Sequence, residues 1–255
     1  METALPLATW LPAEIYRLAL VFCRVSAAFM LLPGLSEHAV PVRVRLLAGL
    51  AAALCIAPLA GPAVPVPGVW SILAAMALEV TTGTLLGTLA RLLLSAVQTA
   101  GQIIGQNIGL GNAFVFGVGV GSDNAAVVGA ALYVGGLAAL FTLEGHHSGL
   151  RALADSYAMV PLGAAPPLAA SAEVVTEMAA RAFRLAMQFA MPFLALAMLF
   201  NLAMAGINRA MPAMPVFMIG APALLMAGLQ LLALVSPGIL HELLGAYAEV
   251  FVLPR

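Results

Sequence analysis

Long apolar runs, separated by short polar or proline-rich segments, dominate the pattern of hydrophobic and polar positions along this chain. Several runs approach the length of about 20 mostly apolar residues that a helix needs to cross a bilayer. Their apolar positions do not alternate with period two, as the strands of a membrane β-barrel do. The pattern therefore predicts an all-α, membrane-associated fold. The predicted helical stretches are residues 14–32, 44–60, 69–108, 125–143, 173–207 and 216–235, with a short closing helix at 239–252.

Prolines mark the predicted interruptions of these helices. Proline lacks a backbone donor, and it disfavours a helical conformation in the residue before it. Three prolines within residues 144–171 predict a loop there. Pro192 predicts a kink inside a long helix, whereas Pro222 and Pro237 predict interruptions near the C-terminus.

The amino-acid composition does not suit an ordinary soluble domain. Hydrophobic residues make up 63% of the chain and charged residues only 8%, whereas soluble domains carry about 25% charged residues. Lipid or a large protein partner must therefore cover much of the surface. The net charge of −1 gives no electrostatic basis for binding nucleic acid.

Arginines interrupt several of the predicted helices. Arg17 and Arg24 lie in the first run, and Arg91 lies in the third. Charged side chains are costly where a helix faces lipid. We therefore expect several of these helices to be half-spanning hairpins that pack against protein.

Polar side chains form a stripe along the third predicted helix. They recur at spacings of three or four residues, which places them on one helix face. Such a face either meets other polar helices or lines an aqueous path, or it makes interhelical hydrogen bonds inside a static bundle. The sequence favours neither interpretation. The stripe consists of Thr84, Thr88, Arg91, Ser95, Gln98, Gln102 and Gln106.

Glycines at four-residue spacing lie on the same predicted helix. Gly83 and Gly87 form one such pair, and Gly101, Gly105 and Gly109 continue the spacing further along. Small residues allow helix backbones to approach each other closely. We therefore expect close helix crossings at these positions.

A glycine-rich, uncharged segment at residues 109–121 separates two apolar helices. Glycine disfavours a helix here, and irregular backbone at membrane depth needs protein or a water-filled cavity around it. The segment is therefore either a packed turn or a constriction inside a pore. No soluble strand precedes it and no lysine supports phosphate binding, so a nucleotide site is not indicated. The candidate plug residues are Gly109, Leu110, Phe114, Val115, Phe116, Gly117, Gly119 and Gly121.

Residues 144–149, which include His146, His147 and Ser148, are a candidate for metal or hydrolase chemistry. A zinc site needs a third or fourth ligand, and the remaining histidines, at 38 and 241, are distant in sequence. No Gly-x-Ser-x-Gly or His-Glu-x-x-His motif occurs. The pattern favours interfacial loop residues, so we predict no catalytic residue, no metal ligand and no cofactor.

Short motifs in a fixed order run through nearly the whole chain. They are segments 24–29 and 40–45; Glu79, Gly83 and Gly87; Gly145, His146, Ser156, Tyr157 and 161–163; and Pro192, Asn201 and 208–212. In residue types and order, these motifs resemble the FliR family of flagellar export-gate proteins and its counterpart in type III secretion injectisomes. The overall resemblance is closer to the flagellar members.

This resemblance implies a fold in which FliP-like and FliQ-like helical hairpins are fused in one chain, with many segments that are not conventional spans. It implies a single domain over residues 1–255. Within it, N-terminal helices occupy 1–108, the plug loop 109–123 and C-terminal helices 124–255. In this family the glycine-rich loop projects into the channel as a plug.

The resemblance also implies a non-enzymatic role in protein secretion. The chain would join FliP-, FliQ- and FlhB-like proteins in the inner membrane of a bacterium, at the flagellar basal body. Unfolded flagellar proteins would pass through their shared channel, with lipid around it and no nucleic acid involved. We expect Arg209 and the stripe from Arg91 to Gln106 to make inter-subunit or luminal contacts.

Two other functions stay open on the sequence. A small-solute secondary transporter would place broken helices and paired charges near the middle of the membrane, but no clear inverted repeat is visible. An intramembrane enzyme would use Ser148, His146 or His147.

Overall fold

The structure, a computed structural model, describes residues 5–37, 39–62, 66, 68–110, 126–211 and 216–250. Every regular element in these ranges is an α-helix, which confirms the all-α prediction. The seven helices of the described ranges are α1 (Leu5–Phe29), α2 (Val42–Ile56), α3 (Val69–Asn107), α4 (Ala126–Thr142), α5 (Gly145–Met159), α6 (Leu168–Ala210) and α7 (Val216–Val250).

Among the described residues, three helices are long and apolar enough to cross a membrane. They are α3, α6 and the Gly220–Tyr247 part of α7. The number rises to four if α4 and α5 count together as one broken span. Helices that could cross a membrane are therefore present, as predicted. The sequence has more apolar runs than its described residues have helices of this kind.

The loop predicted at residues 144–171 is wrong, because α5 occupies 145–159. Its buried residues recur at helical spacing, so one face of this helix packs inward. Prolines and glycines around the segment obscured that face in the sequence. The buried residues of α5 are Gly149, Ala152, Leu153, Ser156 and Tyr157.

The interruptions predicted at Pro222 and Pro237 are also wrong, since α7 continues through both prolines. A proline inside a helix cannot donate to the carbonyl four residues earlier. At Pro237 that carbonyl belongs to Ala233, and the hydroxyl of Ser236 donates to it at 3.4 Å. A neighbouring hydroxyl thus partly replaces the missing amide donor.

The described helices form two compact units. The first unit comprises residues 1–91, 144–178 and 248–255. In its described part, α1 packs against α2. A small apolar cluster of Tyr16, Leu20 and Ala75 joins α1 to α3, and the partly buried Leu162 packs against it.

The second unit comprises residues 92–143 and 179–247. Its core combines the second half of α3 with α4, α6 and α7. The predicted single domain, with its internal boundaries at 109 and 124, stays a prediction. The buried core residues are Ala96, Val97, Ala100, Ile104, Ile108, Val128, Leu132, Ala182, Ala186, Phe189, Ala190, Phe193, Ile239 and Leu243.

Candidate functional site

A buried ion pair joins α1 to α3 in the first unit. Both side chains, those of Arg24 and Glu79, are 0% exposed. The Nε of Arg24 donates to Oε2 of Glu79 at 2.6 Å, and its Nη2 donates to Oε1 at 3.2 Å. This two-point geometry matches the planar guanidinium to the carboxylate and orients both groups.

The remaining donors of Arg24 reach α5 and the residue that follows it. Nη1 donates to the hydroxyl of Ser156 at 3.1 Å, and Nη2 donates to the backbone carbonyl of Val160 at 2.9 Å. The guanidinium carbon lies 4.0 Å from the ring centroid of Tyr157, in cation–π geometry. A charge without access to water is therefore surrounded by partners, as burial requires.

The carboxylate of Glu79 has a third donor in the connection between α5 and α6. The backbone N–H of Gly163 donates to Oε1 at 2.7 Å. Gly163 has a φ of +71° and occupies the third position of a turn in which the amide of Ala164 donates to the carbonyl of Pro161 at 3.0 Å. Glycine adopts that conformation without strain, as a type II turn requires.

Two glycines let α1 cross α3 at this point. A Cβ added at Gly83 would overlap the backbone carbonyl of Arg24. A Cβ at Gly87 would lie 2.7 Å from Cβ of Leu31 and 2.8 Å from the carbonyl oxygen of Ala28. The close crossings expected at these glycines are confirmed. Gly83 follows Glu79 by one helical turn, so the face of α3 that carries the carboxylate also admits the backbone of α1.

The sequence reasoning missed this pair. Arg24 was used as an arginine that interrupts an apolar run, and Glu79, Ser156, Tyr157 and the turn at 161–163 were used as separate matches to a family pattern. A usable signal was present, because Arg24 and Glu79 are opposite charges in apolar runs. Ionisable residues in such positions usually pair with each other.

The polar stripe on α3 lies on an open face of the chain. Arg91, Gln98, Gln102 and Gln106 are exposed. None of these four side chains makes a hydrogen bond or an ion pair with any residue that the structure describes. Water, a second chain or a part of this chain outside the described residues must therefore satisfy these groups.

The other polar members of the stripe are half-buried and bond within their own helix. The hydroxyls of Thr84, Thr88 and Ser95 donate to carbonyls three or four residues earlier, at 2.9, 2.7 and 2.6 Å. Such local bonds are how serine and threonine are accommodated inside helices. These three residues therefore need no partner outside α3.

A neighbouring face of this part of α3 packs against α4 in the second unit. A Cβ at Gly101 would overlap the Cα of Gly129. A Cβ at Gly129 would lie 2.8 Å from the carbonyl oxygen of Gln98. The close crossing expected at Gly101 is therefore confirmed, with Gly129 as its counterpart.

The glycine-rich segment begins just after α3. The close crossing expected at Gly109 is wrong, because no atom lies within 4 Å of a Cβ built there. Its φ of +82° instead ends the helix in a left-handed conformation. Leu110 packs partly buried against the core of the second unit. The plug role of all eight candidates stays a prediction. Six of them lie outside the described residues: Phe114, Val115, Phe116, Gly117, Gly119 and Gly121.

Arg209 lies in the last turn of α6 and is exposed. A cation there interacts favourably with the carbonyls that end the helix. Its side chain makes no ion pair or hydrogen bond with the residues that the structure describes. The predicted inter-subunit or luminal contact therefore stays a prediction.

The histidine segment starts α5 rather than forming a loop. Glu144 has a φ of 56°, and the amide of His147 donates to its carbonyl at 2.9 Å. The Nδ1 of His147 lies 3.6 Å from the carboxylate of Glu144, and both side chains are more than half exposed. His146 stacks on His147 with 4.2 Å between ring centroids. Ser148 makes no hydrogen bond with any residue that the structure describes.

Comparison with protein families identifies the family to which the chain belongs. The family model described as "Bacterial export proteins, family 1" matches residues 15–250. The chain belongs to this family. The matched region includes the buried ion pair, the polar stripe and the glycine-rich segment.

Curated relatives agree with this assignment. A protein of Caulobacter vibrioides named "Flagellar biosynthetic protein FliR" is 33% identical over 239 residues, which cover 93% of this chain and 95% of the relative. A protein of the same name from Escherichia coli is 30% identical and covers 95% and 91%. One from Pectobacterium carotovorum is 29% identical and covers 90% and 88%. The resemblance to the FliR family is confirmed, and with the apolar helices it indicates a membrane protein.

Proposed function

We propose that the protein is a non-enzymatic subunit of the type III export gate of the bacterial flagellum. It would lie in the inner membrane at the flagellar basal body. With FliP-like and FliQ-like subunits, and with an FlhB-like protein attached, it would form the channel through which unfolded flagellar proteins leave the cell. The observation that carries the proposal is the family match over residues 15–250.

The polar stripe supports a role inside an assembly. Four long polar side chains on α3 have no partner among the described residues. In a low-dielectric setting such groups need hydrogen-bond partners or water. A neighbouring subunit would supply hydrogen-bond partners, and the aqueous lumen of a channel would supply water.

Exposed apolar side chains support the same conclusion. Met198, Leu199 and Leu202 are about 70% exposed on α6 (73%, 68% and 69%). Apolar surface of this extent is covered in a working protein, by lipid or by other subunits. A gate subunit would have both kinds of neighbour.

We also propose that residues 109–121 close the channel before export. Phe114, Val115 and Phe116 would exclude water at a constriction, as apolar pore gates do. The flanking glycines would let the backbone move aside for a substrate. Gly109 supports this proposal, because its left-handed conformation directs the chain out of α3.

A co-purification experiment tests the gate proposal. The tagged chain replaces the native one in its own bacterium, and mild-detergent extracts are analysed by mass spectrometry. The test variant is Gln98→Leu with Gln102→Leu, which keeps size and helix propensity but removes the polar groups. The matched control is Gln188→Leu, the same chemical change at an exposed position on α6.

We expect the wild type and the control to recover FliP-like and FliQ-like proteins and to restore swimming in soft agar. The double variant should recover at least tenfold less of one partner or lose export. Normal recovery and normal export in the double variant would remove the proposed role of the stripe.

Recovery of the wild type alone would contradict the gate itself. The small-solute transporter would then be tested with purified protein in liposomes. An intramembrane enzyme would be indicated instead if changing His146 or Ser148 abolished function while the complex still assembled.

A further inference from the structure

We propose that Arg24 and Glu79 are a positioning pair for the export gate. Together they hold residues 160–163, the first part of the connection between α5 and α6, in one place against the crossing of α1 and α3. The assembled gate depends on that position. This inference rests on the proposed function.

The pair holds the connection by its backbone. Arg24 donates to the carbonyl of Val160 at 2.9 Å, and Glu79 accepts from the amide of Gly163 at 2.7 Å. Each partner thus fixes one end of the segment 160–163. Neither bond involves a side chain of that segment. Both charges are 0% exposed, so removing either leaves the other buried without compensation.

The chemistry of the pair suits positioning better than stabilisation. Apolar side chains of similar volume often replace buried ion pairs without loss of stability. Apolar helix faces, however, specify their relative register weakly, whereas a guanidinium fork accepts a carboxylate only in a narrow range of geometries. Arg24 makes four hydrogen bonds to three elements: α3, α5 and the connection.

Leu162 reports whether the connection is held. Its side chain lies between the two anchored residues and packs partly buried against Tyr16, Leu20 and Ala75. When the anchoring bonds break, this side chain should leave the cluster and meet solvent or reagent more often. Local opening of this kind is measured by the rate at which a shielded group reacts.

The experiment places a thiol at this position. Leu162→Cys is made in a chain that also carries Cys23→Ala and Cys55→Ala, which removes both native thiols. Labelling by a membrane-permeant maleimide is followed in native membranes, and export of flagellar proteins is measured in the same cells. The test variant is Glu79→Gln, which keeps the shape of the side chain and removes its charge.

The matched control is Glu14→Gln. Glu14 pairs with Arg17 at 2.6 Å, but the pair is local, on one helix, and partly exposed. Glu14→Gln is therefore the same chemical change as Glu79→Gln, made at a carboxylate whose ion pair does not reach the connection. We expect Glu79→Gln to raise the labelling rate of the introduced thiol on the order of tenfold and to lower export by a similar factor. The control should change neither by more than about twofold.

An unchanged labelling rate in Glu79→Gln would overturn the proposal, whatever happens to export. A raised labelling rate with normal export would also overturn it, because the position would then not matter to the gate. If Glu79→Gln does not accumulate in membranes, Arg24→Lys decides. That variant keeps the positive charge but lacks the guanidinium fork that contacts Glu79 and the Val160 carbonyl together. We expect it to accumulate with labelling raised severalfold; no increase would refute the proposal.

Failure of the gate proposal would look different. Labelling of the introduced thiol reports on the chain alone and needs no partner. If the chain proved not to be an export subunit, export would be unaffected even by its removal, while the labelling difference between Glu79→Gln and Glu14→Gln would persist.

Discussion

The close crossing of α3 and α4 makes a quantitative prediction for Gly101→Ala. The added Cβ would overlap the Cα of Gly129 and lie 2.6 Å from its backbone nitrogen. Ordinary carbon contacts are about 3.5–4.0 Å, so the two helices must separate by about 1 Å. Only backbone atoms oppose the new methyl group, and backbone cannot rotate away as a flexible side chain can.

A separation of this size affects the whole core between the two helices. A gap of about 0.5–1 Å forfeits a quarter to a half of each dispersion contact. Overpacking of a well-packed core costs about 1–3 kcal/mol. Alanine also favours a helix over glycine by about 1 kcal/mol, which offsets part of that cost.

Gly206→Ala is the matched control. Gly206 lies inside α6, and no atom lies within 4 Å of a Cβ built there. Both variants gain the same helix propensity, so the difference between them isolates the cost of contact. That difference should be about 1–3 kcal/mol, with Gly101→Ala the less stable.

Thermal unfolding of the purified chain in detergent measures this difference. It is followed by far-UV circular dichroism, which reports the helix content. At about 2–4 °C per kcal/mol for a chain of this length, the Tm of Gly101→Ala should lie about 2–12 °C below that of Gly206→Ala. Equal Tm values would refute the reasoning, because the helices would then separate without cost.

Three further predictions concern other parts of the chain. Deleting residues 110–120 should make cells leak small ions if the complex still assembles; an unchanged leak with normal assembly would remove the plug proposal. Ser236→Ala should cost about 0.5 kcal/mol, because its hydroxyl serves the Ala233 carbonyl that Pro237 leaves unpaired. That cost should vanish in a Pro237→Ala background, where a backbone amide takes over, and a double-mutant cycle of Tm values checks it. Gly163→Ala should lower stability by about 1–2 kcal/mol through its φ of +71°, measured as a fall in Tm. Gly163→Asn should lower it less, and equal effects would argue against backbone strain.

Most helices of this fold could be predicted from the apolar runs. The two errors have distinct physical causes. α5 carries glycines, histidines and a nearby proline, so its helical face becomes evident only where Leu153 and Tyr157 are buried. The helix α7 contains two prolines, and the continuity of the chain through them depends on local compensation such as the Ser236 hydroxyl.

The features of the candidate site also divide into those that the sequence predicted and those that it did not. The spacing of Gln98, Gln102 and Gln106 placed them on one face, and the structure shows that this face is open. The spacing of Gly83 and Gly101 predicted close crossings, but it named no partner helix. The bonds of Arg24 join residues up to 136 positions apart in the chain, and no local pattern encodes such a distance.

The sequence by itself determined the helical class, the need for lipid or protein around the chain and the polar face of α3. These properties follow from hydrophobic content and from the helical period of about 3.6 residues, which are local quantities. Only the tertiary structure decided that Arg24 pairs with Glu79, that Glu79 accepts from the amide of Gly163, and that Gly101 meets Gly129. Packing against a particular neighbour depends on how distant segments meet, and many apolar faces are equally able to bury one another. A buried charge needs an opposite charge beside it, and a glycine at a close crossing needs the backbone of another helix against it. These two requirements distinguish the native arrangement from the others.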